Sequence, residues 1–126
     1  IVPCFDEPRW KTPWELTLVV PRRHVALSNM PETSAVAVAD GKKRVTFAET
    51  PPLPSYLVAL AVGPFEIVDA GTVGRHAVPV RVAVRAGAKG NVGVVAQRLP
   101  AIVTALETYL DDPLPLTKLD LVAVPT

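Results

Sequence analysis

The stretch VPVRVAVR, residues 78–85, alternates valine with small or charged residues over eight positions. Because successive side chains of a strand point to opposite faces, this pattern predicts a strand with one buried valine face. Pro79 lacks an N–H, so either the strand lies at a sheet edge or the proline lies near its start, facing away from the ladder. This is the clearest strand in the chain, and it predicts a β fold around it.

After residue 87 the hydrophobic period changes from two to about 3.6, which predicts a helix. The apolar positions that recur at this spacing are Val95, Leu99, Ile102, Leu106 and Leu110. Asn91 is a candidate N-cap, and Asp111-Asp112-Pro113 should end the helix. Pro100 lies inside and should kink the helix or split it. Leu119–Val124 then predicts one more buried strand. The change of period predicts a domain boundary near residue 87.

The residues before this stretch predict further short strands separated by proline and glycine turns. The predicted strands are Trp14–Val20, His24–Ser28, Ser34–Ala39, Arg44–Glu49, Tyr56–Val62 and Phe65–Val68. Tyr56–Val62 is a continuous apolar run, which predicts a strand buried on both faces. The proline-rich segment 50–54 predicts an extended connector. Gly71 and Gly74 predict a hairpin turn.

The predicted hairpin at residues 34–49 has two possible registers. A four-residue loop over Asp40–Lys43 would place Val38 opposite Val45. A two-residue Asp-Gly turn would instead place Val38 opposite Lys43. The longer loop keeps one face apolar, so the pattern favours it.

Composition excludes several classes of protein. The chain has 126 residues, a formal charge of +1, 14 prolines and one cysteine. The balanced charge gives no broad reason to bind nucleic acid or acidic membranes. One cysteine cannot form an internal disulfide, and together with two histidines it excludes most self-contained zinc modules. The first residue is Ile1 rather than Met, so we expect a segment of a longer protein.

Few residues are candidates for chemistry. Asp6-Glu7 could supply a general acid and base, but carboxylates in such a turn more often cap backbone N–H groups and pair with Arg9 or Lys11. Cys4, in an apolar context, predicts a buried inert thiol. His24 and His76 stand alone, without the spacing of metal ligands. Arg81 and Arg85 share the polar face of one strand. They could bind an acidic partner, but the pattern favours a solvated face. Gly87, Gly90 and Gly93 match no phosphate-binding loop.

Four motifs nevertheless resemble the M1 family of zinc aminopeptidases. The first is the Pro-Cys-Phe-Asp-Glu-Pro segment at residues 3–8, followed by Lys11. The second is residues 26–31, Ala-Leu-Ser-Asn-Met-Pro. The third joins residues 50–52 to 55–59 and 62–65. The fourth runs from Leu106-Glu107 and Tyr109 through residues 113–116 to 118–125. They occur in the family's order and span nearly the whole chain.

The resemblance implies a mainly β fold: an antiparallel β-saddle or sandwich segment, then one helix and one strand of a thermolysin-like domain. Residues 1–86 would be the C-terminal part of the N-terminal saddle domain. Residues 87–126 would begin the catalytic domain. The family is expected to remove N-terminal residues from peptides with a zinc-activated water. The motifs present here would then be architectural, with Tyr56–Val62 filling the core.

None of the family's functional positions maps onto this chain. His24 is followed by Val25 and His76 by Ala77, so no His-Glu-x-x-His zinc motif is present. Met30 is followed by Pro31, so the amine-binding Met-Glu-Asn is absent too. We therefore expect no catalytic, cofactor-binding or metal residue in this chain, with zinc and the peptide substrate bound elsewhere in a parent enzyme. The alternative is a non-catalytic scaffold relative that mediates protein–protein contacts.

Two further expectations concern self-association of the isolated chain and the cellular compartment. Uncovered sheet edges should make it self-associate by strand pairing. The sequence is compatible with either a cytoplasmic or a secreted protein.

Overall fold

The computed structural model describes residue 4 and residues 7–88 and 92–124. The chain divides into two compact units, Ile1–Gly63 and Pro64–Thr126. Antiparallel sheets dominate, with one long helix and one later strand, so the expected fold class is confirmed. The domain boundary expected near residue 87 is a boundary between family domains, and it stays a prediction. Among the described residues, no helix combines the length and the apolar character needed to cross a membrane.

The first unit contains a three-stranded sheet and a two-stranded sheet. Strands β1 (Thr17–Pro21), β4 (Lys42–Phe47) and β3 (Glu32–Val38) form the larger sheet in the order β1-β4-β3, with β4 central. Strands β2 (Val25–Ser28) and β5 (Leu60–Gly63) pair antiparallel. The core is apolar: Val20, Ala26, Val45 and Phe47 are buried, and Leu16 and Leu18 pack against them. Three of these residues, Leu16, Leu18 and Val20, are spaced two apart in the predicted strand Trp14–Val20 and lie on its inward face.

The predicted register of the β3–β4 hairpin is wrong. Val38 pairs with Lys42, rather than with Val45 or Lys43, and Ala35 pairs with Val45. Neither of the two registers considered for the sequence therefore occurs. Asp40 and Gly41 both have positive φ, and the Lys42 N–H donates to the Ala39 carbonyl, as in the tight turns that Asp-Gly favours. Turn geometry decided the register, because β3 is an edge strand with little core to gain by keeping an apolar face.

The buried strand predicted for Tyr56–Val62 is also wrong. Ser55–Leu57 forms a 3₁₀ turn, and only Leu60–Gly63 is strand. Tyr56, Leu57 and Leu60 are exposed in this chain. A continuous apolar run does not by itself fix the type of element. Among the described residues β5 has β2 as its strand partner, and its Leu60 and Val62 side chains are exposed.

The second unit contains a three-stranded sheet and the helix. Its elements are β6 (Phe65–Val73), β7 (Val78–Arg85), α1 (Val92–Leu110) and β8 (Leu119–Val122). The sheet order is β6-β7-β8, with β7 and β8 parallel, so α1 forms the crossover between them. The β6–β7 turn lies at residues 74–77, while Gly71 lies in a bulge.

Strand β7 confirms the prediction from its alternating valines. Val78, Val80, Val82 and Val84 are all buried, Val80 with only 1% of its surface exposed. The strand is central rather than at an edge. Pro79 is tolerated because the pairing with β8 begins at Val80, one residue later.

Helix α1 runs unbroken through Pro100, so the predicted split does not occur. Only part of the predicted apolar stripe faces the sheet. Val95 and Leu99 pack against the sheet, together with buried Val92 and Val103. Ile102, Leu106 and Leu110 are exposed instead. The helix is apolar on two neighbouring faces, and the sheet covers one. The predicted N-cap, Asn91, lies outside the described residues.

Candidate functional site

The second and third sequence motifs meet in space. The Asn29 side chain accepts a hydrogen bond from the Ala59 N–H at 2.8 Å and donates to the Leu57 carbonyl at 2.9 Å. The Ser28 hydroxyl donates to the Ala59 carbonyl at 3.0 Å. The Asn side chain carries both an acceptor and a donor, so it can satisfy two backbone groups of a neighbouring segment at once. These two motif residues therefore fasten the connector before β5 to the end of β2.

The proline-rich connector is held in a similar way. The Trp14 indole donates to the Leu53 carbonyl at 3.2 Å, and the Thr50 hydroxyl accepts from the Trp14 N–H at 3.0 Å. Thr12 and Leu53 form an isolated β-bridge. Thr50 is buried, so its hydroxyl needs such a partner. The connector is extended, as its prolines predict.

A cleft of about 270 Å³ lies where the first motif approaches this connector. It is mostly apolar and is lined by Cys4, Trp10, Lys11, Thr12, Trp14 and Ser55. Cys4 is a free, exposed cysteine, so the predicted buried thiol is wrong. Glu7 pairs with Arg9 at 2.8 Å, one of the two partners predicted for this acidic pair. Asp6 lies outside the described residues.

In the second unit, Glu107 anchors two backbone segments with one carboxylate. Both of its oxygens accept from the Arg75 N–H, at 3.1 and 3.0 Å, and Oε1 also accepts from the Leu114 N–H at 2.8 Å. The Arg75 guanidinium donates to the Glu107 carbonyl. A Cβ at Gly74 would lie 2.5 Å from Glu107 Oε1, and Gly74 has a positive φ, so only glycine suits this turn.

The hydrogen bond from Leu114 is the main reason that the pKa of Glu107 is lowered. Burial opposes this change, while the N–H and the charge of Arg75 and the charge of His76 add to it. The residue is only 4% exposed. A charged Glu107 therefore ties the end of α1 to the β6–β7 turn and to the loop that follows the helix.

Asp120 forms the second anchor, between neighbouring parallel strands. Arg81 on β7 donates two hydrogen bonds to it, Nε at 2.8 Å and Nη2 at 2.9 Å, and Lys118 Nζ is a third donor. The Asp120 side chain is 8% exposed. Burial raises its pKa, but the hydrogen bonds and charges of Arg81 and Lys118 outweigh burial and lower it. Arg81 grips an acidic partner within this chain, so the favoured prediction of a merely solvated face was wrong for Arg81.

In the sequence, Glu107 and Asp120 stand out only as members of the fourth motif. One signal was available for each: a carboxylate four residues after Val103 on the core-facing side of a helix, and another inside an apolar strand. An ionised group in such a position requires donors around it. Their partners, Arg75 and Arg81, are more than thirty residues away, and spacing alone does not identify them.

The described residues do not form a zinc site. No group of three His, Cys, Asp or Glu side chains able to hold a metal ion occurs in the part of the chain that the structure describes. His24 belongs to the first unit and His76 to the second. The two carboxylates above accept hydrogen bonds from N–H donors of the protein, which suits an anion anchored by protein rather than a metal ligand.

Comparison with known proteins shows what the chain is similar to. The family model described as the Peptidase M1 N-terminal domain matches residues 1–57. Aminopeptidase M1-B of Oryza sativa subsp. japonica is 41% identical over 126 residues. Puromycin-sensitive aminopeptidase of Caenorhabditis elegans is 40% identical over 124 residues, and glutamyl aminopeptidase of Mus musculus is 34% identical over 123. The resemblance to the M1 aminopeptidases is thereby confirmed.

These alignments cover 98% of this chain but only 13–14% of each relative. The chain thus spans about one seventh of the length of the relatives it matches.

Proposed function

We propose that this chain is an architectural segment of an M1 zinc aminopeptidase and is itself non-catalytic. The observation that carries the proposal is the match to aminopeptidases along nearly its whole length. The parent enzyme would hydrolyse N-terminal residues from peptides. Its zinc would be bound by residues outside those described here.

The contacts of the motif residues support a structural role. Asn29, Glu107 and Asp120 each spend their polar atoms on protein partners, so none presents a free acid, base or nucleophile. A general base needs to reach a substrate proton. A carboxylate that is hydrogen-bonded to protein N–H donors and has a lowered pKa is poorly suited to that. These residues hold segments of backbone together.

The proposed domain assignment follows the family. Residues 1–86 are the later part of the saddle domain, and residues 87–126 begin the catalytic domain with a helix and a strand. The chain's own compact units divide elsewhere, after Gly63, because β6 and β7 pack with α1 and β8. In this proposal, the boundary between residues 86 and 87 separates two domains of the family. Strands β6 and β7 precede it and β8 follows it, yet all three lie in one sheet.

The proposal is tested by activity and by sequence. The pure chain should release no amino acid from an aminoacyl-p-nitroanilide, with or without added zinc. The matched control is the same chain extended through the downstream coding region, which should be active and inhibited by a chelator. Chelator-sensitive release by the 126-residue chain would overturn the non-catalytic assignment.

The coding sequence beyond Thr126 separates the two readings of the parent. Gly-x-Met-Glu-Asn followed by His-Glu-x-x-His, in frame, supports the aminopeptidase. A continuing family sequence without those ligands would contradict it and support a scaffold relative that binds other proteins.

A further inference from the structure

The faces of β7 and β8 that pack against helix α1 each repeat a single type of side chain. On β8 these side chains are Leu119 and Leu121. On β7 every second residue is valine: Val78, Val80, Val82 and Val84. A slip of β8 along β7 by two residues keeps each side chain on its face, because the period of a strand is two. Leucine would still meet valine after such a slip, so apolar packing distinguishes these registers only weakly.

The opposite face of the two strands carries charged side chains that do not repeat. Arg81 on β7 lies directly opposite Asp120 on β8. Its guanidinium donates to both carboxylate oxygens, from Nε at 2.8 Å and from Nη2 at 2.9 Å. Lys118, two residues before Asp120, donates to the same carboxylate. The Lys118 and Asp120 side chains are only 9% and 8% exposed, so moving either charge away from its partners is costly.

A slip by two residues in either direction breaks this charged arrangement. In one direction, Lys118 comes to lie opposite Arg81, so that two cations face each other. In the other direction, Val122 comes to lie opposite Arg81, which then faces an apolar side chain. Opposite charges on facing positions of neighbouring strands are stabilising, and like charges are destabilising. Among these three registers, which share the same apolar faces, the observed one sets a cation against an anion.

We propose that the Arg81–Asp120 pair, supported by Lys118, sets the register of β8 on β7. Selecting a register is the best-attested use of a buried charged pair, because apolar side chains of similar volume often give equal stability. The paired residues are 39 positions apart in sequence, and helix α1 lies between their strands. No short turn therefore fixes this register, in contrast to the β3–β4 hairpin with its tight turn at Asp40-Gly41.

The register of β8 also determines the position of the residues that follow it. A slip by two residues moves them by about 7 Å along the strand, since a strand rises about 3.3 Å per residue. In the proposed parent enzyme, Arg81 belongs to the saddle domain and β8 to the catalytic domain. Arg81 is then a positioning residue that acts on the catalytic domain through β8. This consequence rests on the proposed function, whereas the register itself does not.

Exchanging two residues of β8 tests the proposal directly. The double variant Asp120→Val/Val122→Asp keeps the composition and moves the carboxylate two residues along the strand. We expect β8 to slip by two residues, so that the new carboxylate again faces the guanidinium. In nuclear Overhauser contacts of the isotope-labelled 126-residue chain, the cross-strand neighbour of Leu121 should change from Val82 to Val80. A folded variant that keeps the contact between Leu121 and Val82 would overturn the proposal.

An apolar variant keeps the proposal testable if the exchanged chain does not fold. Arg81→Met/Lys118→Met/Asp120→Leu removes the three charged side chains together. We expect the urea midpoint of the helical dichroism to be retained, because apolar replacement of a whole charged group is often neutral. The ratio of slipped to native cross-strand contacts should rise at least about tenfold, since the charged hydrogen bonds that select the register are gone. Loss of the fold, or the native register without a slipped one, would contradict the proposal.

Val122→Thr is the matched control for the exchange. It places an uncharged side chain of similar size at the same position and leaves Asp120 in place, so the native register should be kept. A slip in this variant would attribute the register to packing at residue 122 and overturn the role of the charged pair. All three variants are measured on this chain without substrate or zinc, so their failure would leave the proposed function standing.

Discussion

Different kinds of polar group fasten the loops inside each of the two units. In the first unit, the loops are fastened by neutral groups: Asn29, Ser28 and the Trp14–Thr50 pair. In the second, the corresponding work is done by the ionised carboxylates of Glu107 and Asp120. Neutral hydrogen-bonding groups keep the same protonation state between pH 3 and 8, whereas carboxylates gain a proton as the pH falls. Neighbouring segments of one family sequence thus have different sensitivities to solution conditions.

Two spectroscopic signals distinguish the units. Both tryptophans, Trp10 and Trp14, belong to the first unit, so tryptophan fluorescence reports on it. The α1 helix belongs to the second unit, and circular dichroism at the helical band reports on it. Comparing the two transitions in denaturant measures how independent the units are.

The largest expected effect is that of Phe47→Ala. Phe47 is 3% exposed in the core of the first unit, and truncating a buried phenylalanine costs about 3–5 kcal/mol. The fluorescence midpoint in urea should fall, with a much smaller change in the dichroism midpoint. Val80→Ala, at a 1% exposed position, is the matched change in the second unit and should do the reverse by about 2 kcal/mol. Equal shifts of both signals would show one cooperative unit and remove the contrast.

Pro100→Ala should stabilise the second unit. Pro100 is exposed within α1, where a proline costs about 3 kcal/mol relative to alanine and leaves the Ala96 carbonyl without its helical donor. We expect the free energy of unfolding reported by dichroism to rise by about 1–3 kcal/mol. Gln97→Ala, at a neighbouring exposed position, is the control and should change it by under about 0.5 kcal/mol. No gain from Pro100→Ala would mean that packing requires the proline.

Asp120→Ala should destabilise the second unit by about 2 kcal/mol, because it leaves the donors of Arg81 and Lys118 without their acceptor. The value is at the low end for a buried pair, since the Arg81 side chain is 41% exposed and water replaces part of the loss. Asp112→Ala removes an exposed carboxylate instead, so it is the matched control and should be nearly neutral. A similar loss in both variants would contradict the anchoring role of Asp120.

The smallest expected effect is a loss of stability of the second unit at acidic pH. The pKa values of Glu107 and Asp120 are both lowered in the folded chain. Groups with a depressed folded pKa contribute stability above their unfolded pKa, and this contribution is lost as pH falls through the folded value. Dichroism midpoints should therefore fall between pH 5 and pH 3 more than fluorescence midpoints do. Glu107→Gln should flatten this difference, and an equal acid response in both signals would contradict it.

The candidate site was less predictable than the fold. The sequence motifs identified which residues are family features, but not that Asn29 binds Leu57 and Ala59 or that Asp120 binds Arg81. These contacts join residues about thirty to forty positions apart, and a single sequence contains no information on such pairings. Cys4 shows the same limit, because an apolar neighbourhood along the chain did not bury it.

By itself, the sequence determined the elements whose periodicity is strict and whose ends are marked. The alternating valines of β7 became a buried strand, and the 3.6-residue period became α1, because local geometry fixes which side chains share a face. Tertiary structure decided which of two apolar faces of α1 is buried, the register of β3 on β4, and the exposure of Tyr56 and Leu57. In these cases the local pattern allowed more than one outcome. Packing against the β6-β7-β8 sheet selected the buried face of α1, and the tight turn at Asp40-Gly41 selected the register of β3 on β4.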